Sequence, residues 1–299
     1  MRLILRAASL AMAVGLAFAS DARADDSCTP ATAGASVELG TLSGGTVFVP
    51  AEIAAHRENL LVETTAPVSV ISDSVASALG LPREHVSYRE TLKVNRERVT
   101  EYADAESIGF GGLAASNVRL AVVSDDKMAP DVAGVLGADV LRQFSVEFDF
   151  GRGRFVVYAQ GPCPPVWTRS AATPPTKVEK DGRVFINAEL DGKKVTAVLN
   201  TGAPFSVANF ALTKNLSEWN LQTAGLKVLH SVDGKPDAYR FPCKELSFYG
   251  VSMLNPPIVL RTGTFQLPEL ILGQDILRRL HLYIDYGRGR LYVAPASAQ

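Results

Sequence analysis

The sequence contains two motifs that each occur twice, in the same order, and this repeat constrains the fold more than any other feature. The first motif is an apolar run followed by a polar residue and Thr-x-Ala-Pro-x-Ser-Val, at residues 60–70 and 197–207. The second is Leu-Gly-x-Asp, two apolar residues and Arg, at residues 136–142 and 272–278. The copies are 137 and 136 residues apart, respectively. A repeat of this length is the size of a domain, so the chain is predicted to form two homologous lobes rather than a solenoid.

A third shared segment follows each copy of the second motif. Asp149 and Asp285 each begin the pattern Asp-aromatic-Gly-Arg-Gly-Arg. Gly adopts positive φ without steric cost, and Asp caps turns through its side chain. The two segments are therefore predicted to form equivalent hairpin turns.

Length and composition fit an ordinary globular protein. The chain has 299 residues, of which 47% are hydrophobic and 20% charged, and two domains are the natural expectation. The formal net charge of −1 gives no indication of a nucleic-acid partner. The four histidines show no metal-ligand spacing, and we expect neither a metal nor another cofactor.

The first 24 residues have the pattern of a secretory signal peptide. Arg2 and Arg6 precede a short apolar run over residues 7–19, and Ala22-Arg23-Ala24 forms a small-x-small cleavage site. The alternative is an uncleaved anchor, for which the apolar run is short. We therefore expect cleavage after Ala24, export to the periplasm or secretion, and no membrane span in the mature chain.

The linker between the lobes is predicted from proline. Residues 161–175 contain five prolines, a density that neither a sheet nor a helix can continue. The predicted division is an N-terminal lobe at 25–160, a linker at 161–177 and a C-terminal lobe at 178–299. Within the first lobe, segments 36–39 and 46–49 are expected to pair as a hairpin across Gly44-Gly45.

The repeated motifs resemble those of the aspartic peptidases, both pepsin-like and retropepsin-like, and especially the bacterial aspartyl protease branch. In that family each lobe carries two apolar residues, Asp-Thr-Gly-Ala, and then Ser or Thr. Two apolar residues and Gly follow later, before a helix, as at Gly137 and Gly273. The resemblance implies a mostly β, bilobal acid-protease fold with two β-barrel-like lobes. It also implies a monomer with an internal pseudo-two-fold axis, in which hairpins at 92–102 and 226–240 serve as flaps.

The departures from the family pattern lie at the catalytic positions. Glu63 and Asn200 stand where the family has its two Asp residues, and Thr65 replaces the Gly of the first motif. The remaining positions match, and these supporting residues are Thr64, Thr201, Gly202 and Ala203.

These substitutions change what the site could do. In the family two carboxyl groups share one proton, one acting as general base and the other as general acid. Asn cannot exchange a proton, and losing acid–base function typically costs about 10²–10⁴-fold. The extra methylene of Glu63 moves its carboxylate, and such a misplacement can cost about a hundredfold. In a purely structural interpretation both side chains only bond the turn backbone.

Three hypotheses follow. The leading one is an exported, inactive or weak peptidase homologue that binds extended peptide segments in the cleft between the lobes. The second is an active aspartic-type endopeptidase in which Glu63 is the base and Asn200 polarises the scissile carbonyl. The third is a structural envelope protein with a closed cleft.

One disulfide among the three cysteines would leave the third as a free thiol. An oxidising compartment permits a disulfide among Cys28, Cys163 and Cys243, and sequence alone does not fix the connectivity. A bridge from Cys28 to Cys163 would join the two ends of the first lobe. Ser72 or Asp73 is expected to cap a short helix after the first motif, and the Asp73 carboxylate is interpreted as that cap rather than as a catalytic acid.

Overall fold

The computed structural model describes residues 29–87, 93–94, 97–209, 228–232, 235–261 and 268–296. The expected signal peptide and the tips of both expected flaps lie outside these residues. In the part that is described, no helix has the length and apolar character needed to cross a membrane.

The first half of the chain is mostly β, with two short helices. Its helices are α1 (Asp73–Ala78) and α2 (Ala138–Leu141), and a 3-10 turn occupies Asp125–Lys127. Its strands are β1 (Ala35–Glu38), β2 (Gly40–Thr41), β3 (Val47–Ile53), β4 (His56–Val62), β5 (Val70–Ser72), β6 (Arg83–His85), β7 (Lys93–Val94), β8 (Glu97–Arg98), β9 (Glu101–Gly109), β10 (Ala114–Val123), β11 (Gly134–Leu136), β12 (Ser145–Asp149) and β13 (Arg154–Tyr158).

The second half has the same character. A 3-10 helix at Val166–Ser170 precedes it, and its described α-helix is α3 (Gln274–Leu277). Its strands are β14 (Thr176–Val178), β15 (Val184–Leu190), β16 (Lys193–Leu199), β17 (Val207–Asn209), β18 (Val228–Val232), β19 (Lys235–Arg240), β20 (Glu245–Phe248), β21 (Val251–Leu254), β22 (Val259–Arg261), β23 (Leu270–Leu272), β24 (Leu280–Asp285) and β25 (Arg290–Pro295).

Each half builds its own sheet around its copy of the first motif. The sheet of the first half runs β2-β3-β4-β11-β5-β10-β9-β6, and a further β3–β9 pairing closes it into a barrel. The sheet of the second half runs β18-β19-β22-β17-β23-β16-β15-β20-β21, with β14 on β15. In both, the strand before the motif pairs in parallel with the strand before the Leu-Gly element, as β4 with β11 and β16 with β23. This pairing brings the two motifs of each half together.

A third sheet joins the halves. Its order is β1-β13-β12-β24-β25, so two strands from the end of the chain pair beside strands of the first half. Alternate residues point to opposite faces of a strand, and the inner face carries buried apolar side chains such as Phe148 and Leu282. The outer face carries Tyr158 and Tyr283, whose ring centroids are 5.4 Å apart.

The predicted hairpin across Gly44-Gly45 is present, but its first strand is β2 and not segment 36–39. β1 pairs with β13 of the joining sheet, and β3 pairs with the two-residue strand β2 and with β4. The β3–β4 turn is made by Ala54 and Ala55, both at positive φ (49° and 64°). Alanine is not a turn residue that sequence rules select, so this hairpin carries no sequence signal.

The proline-rich segment is ordered on the outer face of the joining sheet. Its 3-10 helix stacks Trp167 on His281, with ring centroids 3.9 Å apart. The Glu147 carboxylate accepts hydrogen bonds from the Trp167 indole at 3.2 Å and from the Tyr158 hydroxyl at 2.5 Å, and it lies 2.7 Å from the His281 ring. β14 begins at Thr176, directly after the proline-rich residues 161–175.

Two arginines at equivalent places connect the halves near the motifs. Arg142 ends α2 and donates to the Lys180 carbonyl at 2.6 Å. Arg278 ends α3 and donates to the Gly45 carbonyl at 2.8 Å and to the Thr41 hydroxyl at 3.2 Å. Each half therefore donates arginine hydrogen bonds to the first hairpin region of the other half.

The cysteines fall into two environments. Cys163 is disulfide-bonded, and Cys243 is a buried free thiol. The Cys163 amide and carbonyl bond Thr29 and Ala31, so the start of the described chain lies beside it. Cys28, its expected partner, is outside the described residues.

Candidate active site

The two motif loops meet through a reciprocal pair of fully buried threonines. The Thr64 hydroxyl donates to the Leu199 carbonyl at 2.7 Å, and the Thr201 hydroxyl donates to the Val62 carbonyl at 2.6 Å. Each hydroxyl also accepts the backbone N–H of the other threonine, at 3.1 and 3.3 Å. Four mutual hydrogen bonds in a buried position fix the loops against each other.

The first motif loop is held from behind by the Leu-Gly element. The Ser69 hydroxyl donates to Asp139 at 2.6 Å and accepts the Gly137 N–H at 2.9 Å. The other oxygen of Asp139 accepts the Ser69 N–H at 2.9 Å. A Cβ on Gly137 would lie 2.8 Å from the Ala66 carbonyl oxygen, which explains why this position has no side chain.

The second loop repeats the arrangement with one difference. The Ser206 N–H and hydroxyl both donate to Oδ1 of Asp275, at 2.9 and 2.6 Å, and the hydroxyl accepts the Gly273 N–H at 2.9 Å. Oδ2 of Asp275 is buried and has no hydrogen-bond partner among the described residues, and burial raises the pKa of this carboxyl. The Gln274 side chain additionally donates to the Thr201 carbonyl at 2.6 Å.

The roles of Ser69, Asp139, Ser206 and Asp275 were missed by sequence reasoning. All four belong to the repeated motifs, and each Ser–Asp pair has nearly the same separation in both copies. That repeated spacing was the available signal, because a polar pair retained in both lobes beside a glycine element has a shared structural task.

Asn200 is bonded to its own loop. Its Oδ1 accepts the Gly202 N–H at 2.9 Å and the Ala203 N–H at 3.0 Å. These two hydrogen bonds agree with the structural interpretation of this side chain as a turn acceptor. Its Nδ2 makes no hydrogen bond to the described part of the chain, and the residue is only partly buried.

The Glu63 side chain extends from the first motif loop to the second, where it lies against Gly202. A Cβ on Gly202 would come within 2.7 Å of Glu63 Cγ and 2.8 Å of its Cδ, so the carboxyl occupies the space above that glycine. The Thr65 hydroxyl donates to Glu63 Oε1 at 3.2 Å. Burial raises the pKa of Glu63 above its ordinary value of 4.5, and the Thr65 hydrogen bond offsets part of this rise.

The two residues at the catalytic positions are therefore close to one loop but do not form a carboxyl pair. Among the described residues no hydrogen bond joins Glu63 to Asn200. Thr65, which replaces the family glycine, has an ordinary negative φ and places its hydroxyl on Glu63. The site holds one titratable carboxyl and one neutral amide, so it cannot distribute a proton between two acids.

The pH dependence of stability tests the environment of Glu63. A carboxyl with a raised folded pKa supports folding most below its unfolded pKa, and this contribution is lost as pH rises through the folded pKa. Glu63→Gln should therefore gain melting temperature relative to the wild type as pH rises above about 4.5. Thermal unfolding from acidic to neutral pH checks this, with the exposed Glu106→Gln as the matched control. A pH-independent difference would contradict it.

The surface beside the loops differs between the lobes. Phe205 of the second loop is 60% exposed, whereas its counterpart Val68 is half-buried. Val68 lines a pocket together with the Tyr102 ring, over which the Arg119 guanidinium lies at 4.9 Å from the centroid. The first loop therefore borders a pocket, whereas the second loop presents an exposed aromatic ring.

A possible metal-binding group lies elsewhere, on the joining sheet. The ligand atoms of Glu147, Asp149 and His281 lie within 4.8 Å of one another, and all three residues are buried. Their atoms are already engaged, because Glu147 holds the network around Trp167 and Asp149 accepts the Arg152 N–H and guanidinium. This group is accounted for as the attachment of the proline-rich segment and as the predicted Asp-capped turn, in which Gly153 has φ 61°.

Comparison with known proteins agrees with this geometry. Residues 49–143 match the family model described as gag-polyprotein putative aspartyl protease. No curated protein sequence matches the chain.

Solved structures similar to the chain cover most of its length. The crystal structure of EDGP shares 11% identity, covers 90% of this chain and 96% of its own, and has a TM-score of 0.56. Conglutin gamma, a basic 7S globulin from lupine seeds, shares 10% identity with coverages of 88% and 95% and a TM-score of 0.54. Basic 7S globulin from soybean shares 10% with the same coverages and a TM-score of 0.51. The chain therefore has the mostly β, bilobal aspartic-peptidase-like fold that was predicted.

Proposed function

We propose that this chain is an exported aspartic-peptidase-like protein that binds extended peptide segments between its lobes and cleaves them weakly or not at all. The observation that carries the proposal is the state of Asn200. Its Oδ1 accepts hydrogen bonds from two loop amides, and the Asn200 side chain has no acidic proton to exchange. Glu63 consequently has no acidic partner with which to share a proton.

The binding half of the proposal is supported by what the substitutions leave intact. The threonine pair, both Ser–Asp locks and both glycine contacts hold the motif loops in place. Because these contacts are intact, the motif loops keep their positions between the lobes in spite of the substitutions. Extended peptides bind such clefts through backbone hydrogen bonds, with alternate side chains entering pockets.

A second candidate function is favoured by one observation at Glu63. A carboxyl whose pKa is raised by burial is nearer the range in which general bases and acids work. In this alternative, Glu63 removes a proton from water while the Asn200 amide polarises the scissile carbonyl. The single carboxyl would then have to serve both proton-transfer steps.

A cleavage assay distinguishes the two candidates. Residues 25–299 would be incubated with a mixed peptide library from acidic to neutral pH, alongside Glu63→Gln and the exposed control Glu106→Gln, with products read by mass spectrometry. We expect no cleavage by any of the three proteins. Cleavage by the wild type and the control that disappears in Glu63→Gln would overturn the proposal and make Glu63 a catalytic base.

Binding is measured in the same samples. Peptides retained by the wild type and recovered intact would support the proposal. If the library is neither cleaved nor retained, the peptide-binding proposal is wrong and the structural role with a closed cleft takes its place.

A further inference from the structure

We propose that the pocket beside the first motif loop receives one uncharged side chain of a bound peptide, and that the ion pair between Glu84 and Arg119 at its edge excludes charged side chains. This inference rests on the proposed function, since it requires a peptide between the lobes. It adds a side-chain preference and the residues that impose it.

Three neighbouring strands place the polar residues of this pocket on one face of the first sheet. Glu84 of β6 is directly opposite Tyr102 of β9. On the other side of β9, Ala121 of β10 is opposite Tyr102, so Arg119, two residues earlier, is a diagonal neighbour on the same face. Glu84 and Arg119 therefore flank one aromatic ring from two sides.

The two charged side chains meet across that ring. Arg119 Nη2 lies 2.6 Å from Glu84 Oε2, and the guanidinium lies over the Tyr102 ring at 4.9 Å from its centroid. A cation over an aromatic face is attracted by the ring, which helps to fix its position. The Arg119 and Glu84 side chains are 45% and 58% exposed, so they form the edge of the pocket and not its floor.

The wall of the pocket is apolar and continuous with the motif loop. Val68, Val86 and Tyr102 pack in the same hydrophobic cluster. Val68 belongs to the first motif loop, five residues after Glu63. The cavity has a volume of about 460 Å³, which is typical of pockets that bind small ligands. An extended peptide that lies along such a loop places alternate side chains in neighbouring pockets.

The charged groups of the pocket already have partners. Asp139, which also lines it, accepts hydrogen bonds from the N–H groups of Ser69 and Val140. Glu84 and Arg119 neutralise each other. An entering carboxylate would compete with Glu84 for the guanidinium, and an entering ammonium group would compete with Arg119 for the carboxylate. Either would leave one charge without its partner, whereas an apolar side chain leaves the pair intact and is buried against the apolar wall.

Side chains of matched shape separate charge from size as the basis of recognition. We would use acetylated, amidated octapeptides of Leu, Ala and Ser that carry Met, Lys, Gln or Glu at each position in turn. Lys is similar in length to Met, and Glu has the shape of Gln, so each pair differs mainly in charge. Affinities would be measured by calorimetry, the Val68 methyl resonances followed by NMR, and the peptides checked for integrity by mass spectrometry.

Two variants that each remove one charge should act in opposite directions. In Glu84→Gln the Arg119 cation loses its partner, so the selective position should accept Glu relative to Gln at least about threefold better than in the wild type. In Arg119→Gln the Glu84 carboxylate loses its partner, and the same position should accept Lys relative to Met better by a similar factor. Glu179→Gln breaks an ion pair of the second half, with Lys177 at 2.6 Å, and should bind all the peptides as the wild type does.

The outcomes separate this inference from the function on which it rests. At one position the wild type should bind the Met peptide at least about tenfold more tightly than the Lys peptide, and Gln more tightly than Glu, with a shift of the Val68 methyl resonances. Peptide binding without such a position, or a selective position that the two variants do not alter in opposite directions, would overturn the inference and leave peptide binding in place. If no octapeptide binds, the proposed function fails as well.

Discussion

Thr201→Val should lower the free energy of unfolding by about 2–5 kcal/mol, one of the two largest effects we expect in this chain. The substitution keeps the shape but removes the hydroxyl that donates to the Val62 carbonyl and accepts the Thr64 N–H. Both partners are buried and would lose their hydrogen bonds, at roughly 1–3 kcal/mol each. Denaturant unfolding followed by circular dichroism measures the change.

The reciprocal geometry provides a stringent check. Thr64→Val removes the equivalent two bonds, to the Leu199 carbonyl and from the Thr201 N–H, and should be destabilising to a similar degree. Thr196→Val makes the same change at an exposed strand position and should cost little. If Thr201→Val unfolds at the wild-type denaturant concentration, the threonine pair does not hold the loops together.

Gly273→Ala should lower the free energy of unfolding by about 3 kcal/mol, by overpacking against backbone. The added methyl group would lie 2.5 Å from both the carbonyl carbon and the oxygen of Phe205, and 2.9 Å from the Ala203 oxygen. None of these atoms can rotate away, because the Ser206–Asp275 bonds hold that loop. Thermal and denaturant unfolding measure the loss.

Gly44→Ala is the matched control for this substitution. No atom lies within 4 Å of where its Cβ would be, so it should be nearly neutral. Equal stability of the two variants would show that the loop yields, and that the tight approach of Gly273 is not needed for folding.

Much of the fold could be predicted because the determining signals are local and repeated. The apolar residues that alternate along β15 and the Asp-Gly pair that follows it are local signals of a strand and a hairpin turn, and Asp191 and Gly192 both have positive φ, 50° and 76°. Helix α1 begins after Ser72, whose hydroxyl accepts the Val75 N–H, so the cap is Ser72 and not Asp73, whose carboxylate pairs with Arg83 at 2.6 Å. Such turns and caps depend on a few neighbouring residues, and sequence patterns capture them.

Long-range pairings could not be predicted in the same way. The partner of β1 is β13, more than a hundred residues away, and nothing in the residues 35–38 indicates that partner. The sequence pattern of a strand gives its faces, but its neighbours are decided by which edges remain free. The separation into lobes at 25–160 and 178–299 stays a prediction.

In the candidate site, too, the local features could be predicted from the sequence and the long-range contacts could not. The sequence identified Glu63 and Asn200 as the altered positions, since the surrounding motif is otherwise matched. It could not show that Glu63 lies over Gly202 of the other loop, or which way the Asn200 amide is turned. Both follow from contacts across the interface, which no single segment encodes.

The joining sheet also determines when this chain can finish folding. Phe148 of β12 pairs with Leu282 of β24, 134 residues further along. During synthesis, the first half therefore presents β12 as an open strand edge until nearly the whole chain has been made. Unpaired edges invite association with other chains, and non-local strand pairing is slow. Newly made chains should accordingly depend on chaperones, or on dilution in refolding, until β24 occupies its place.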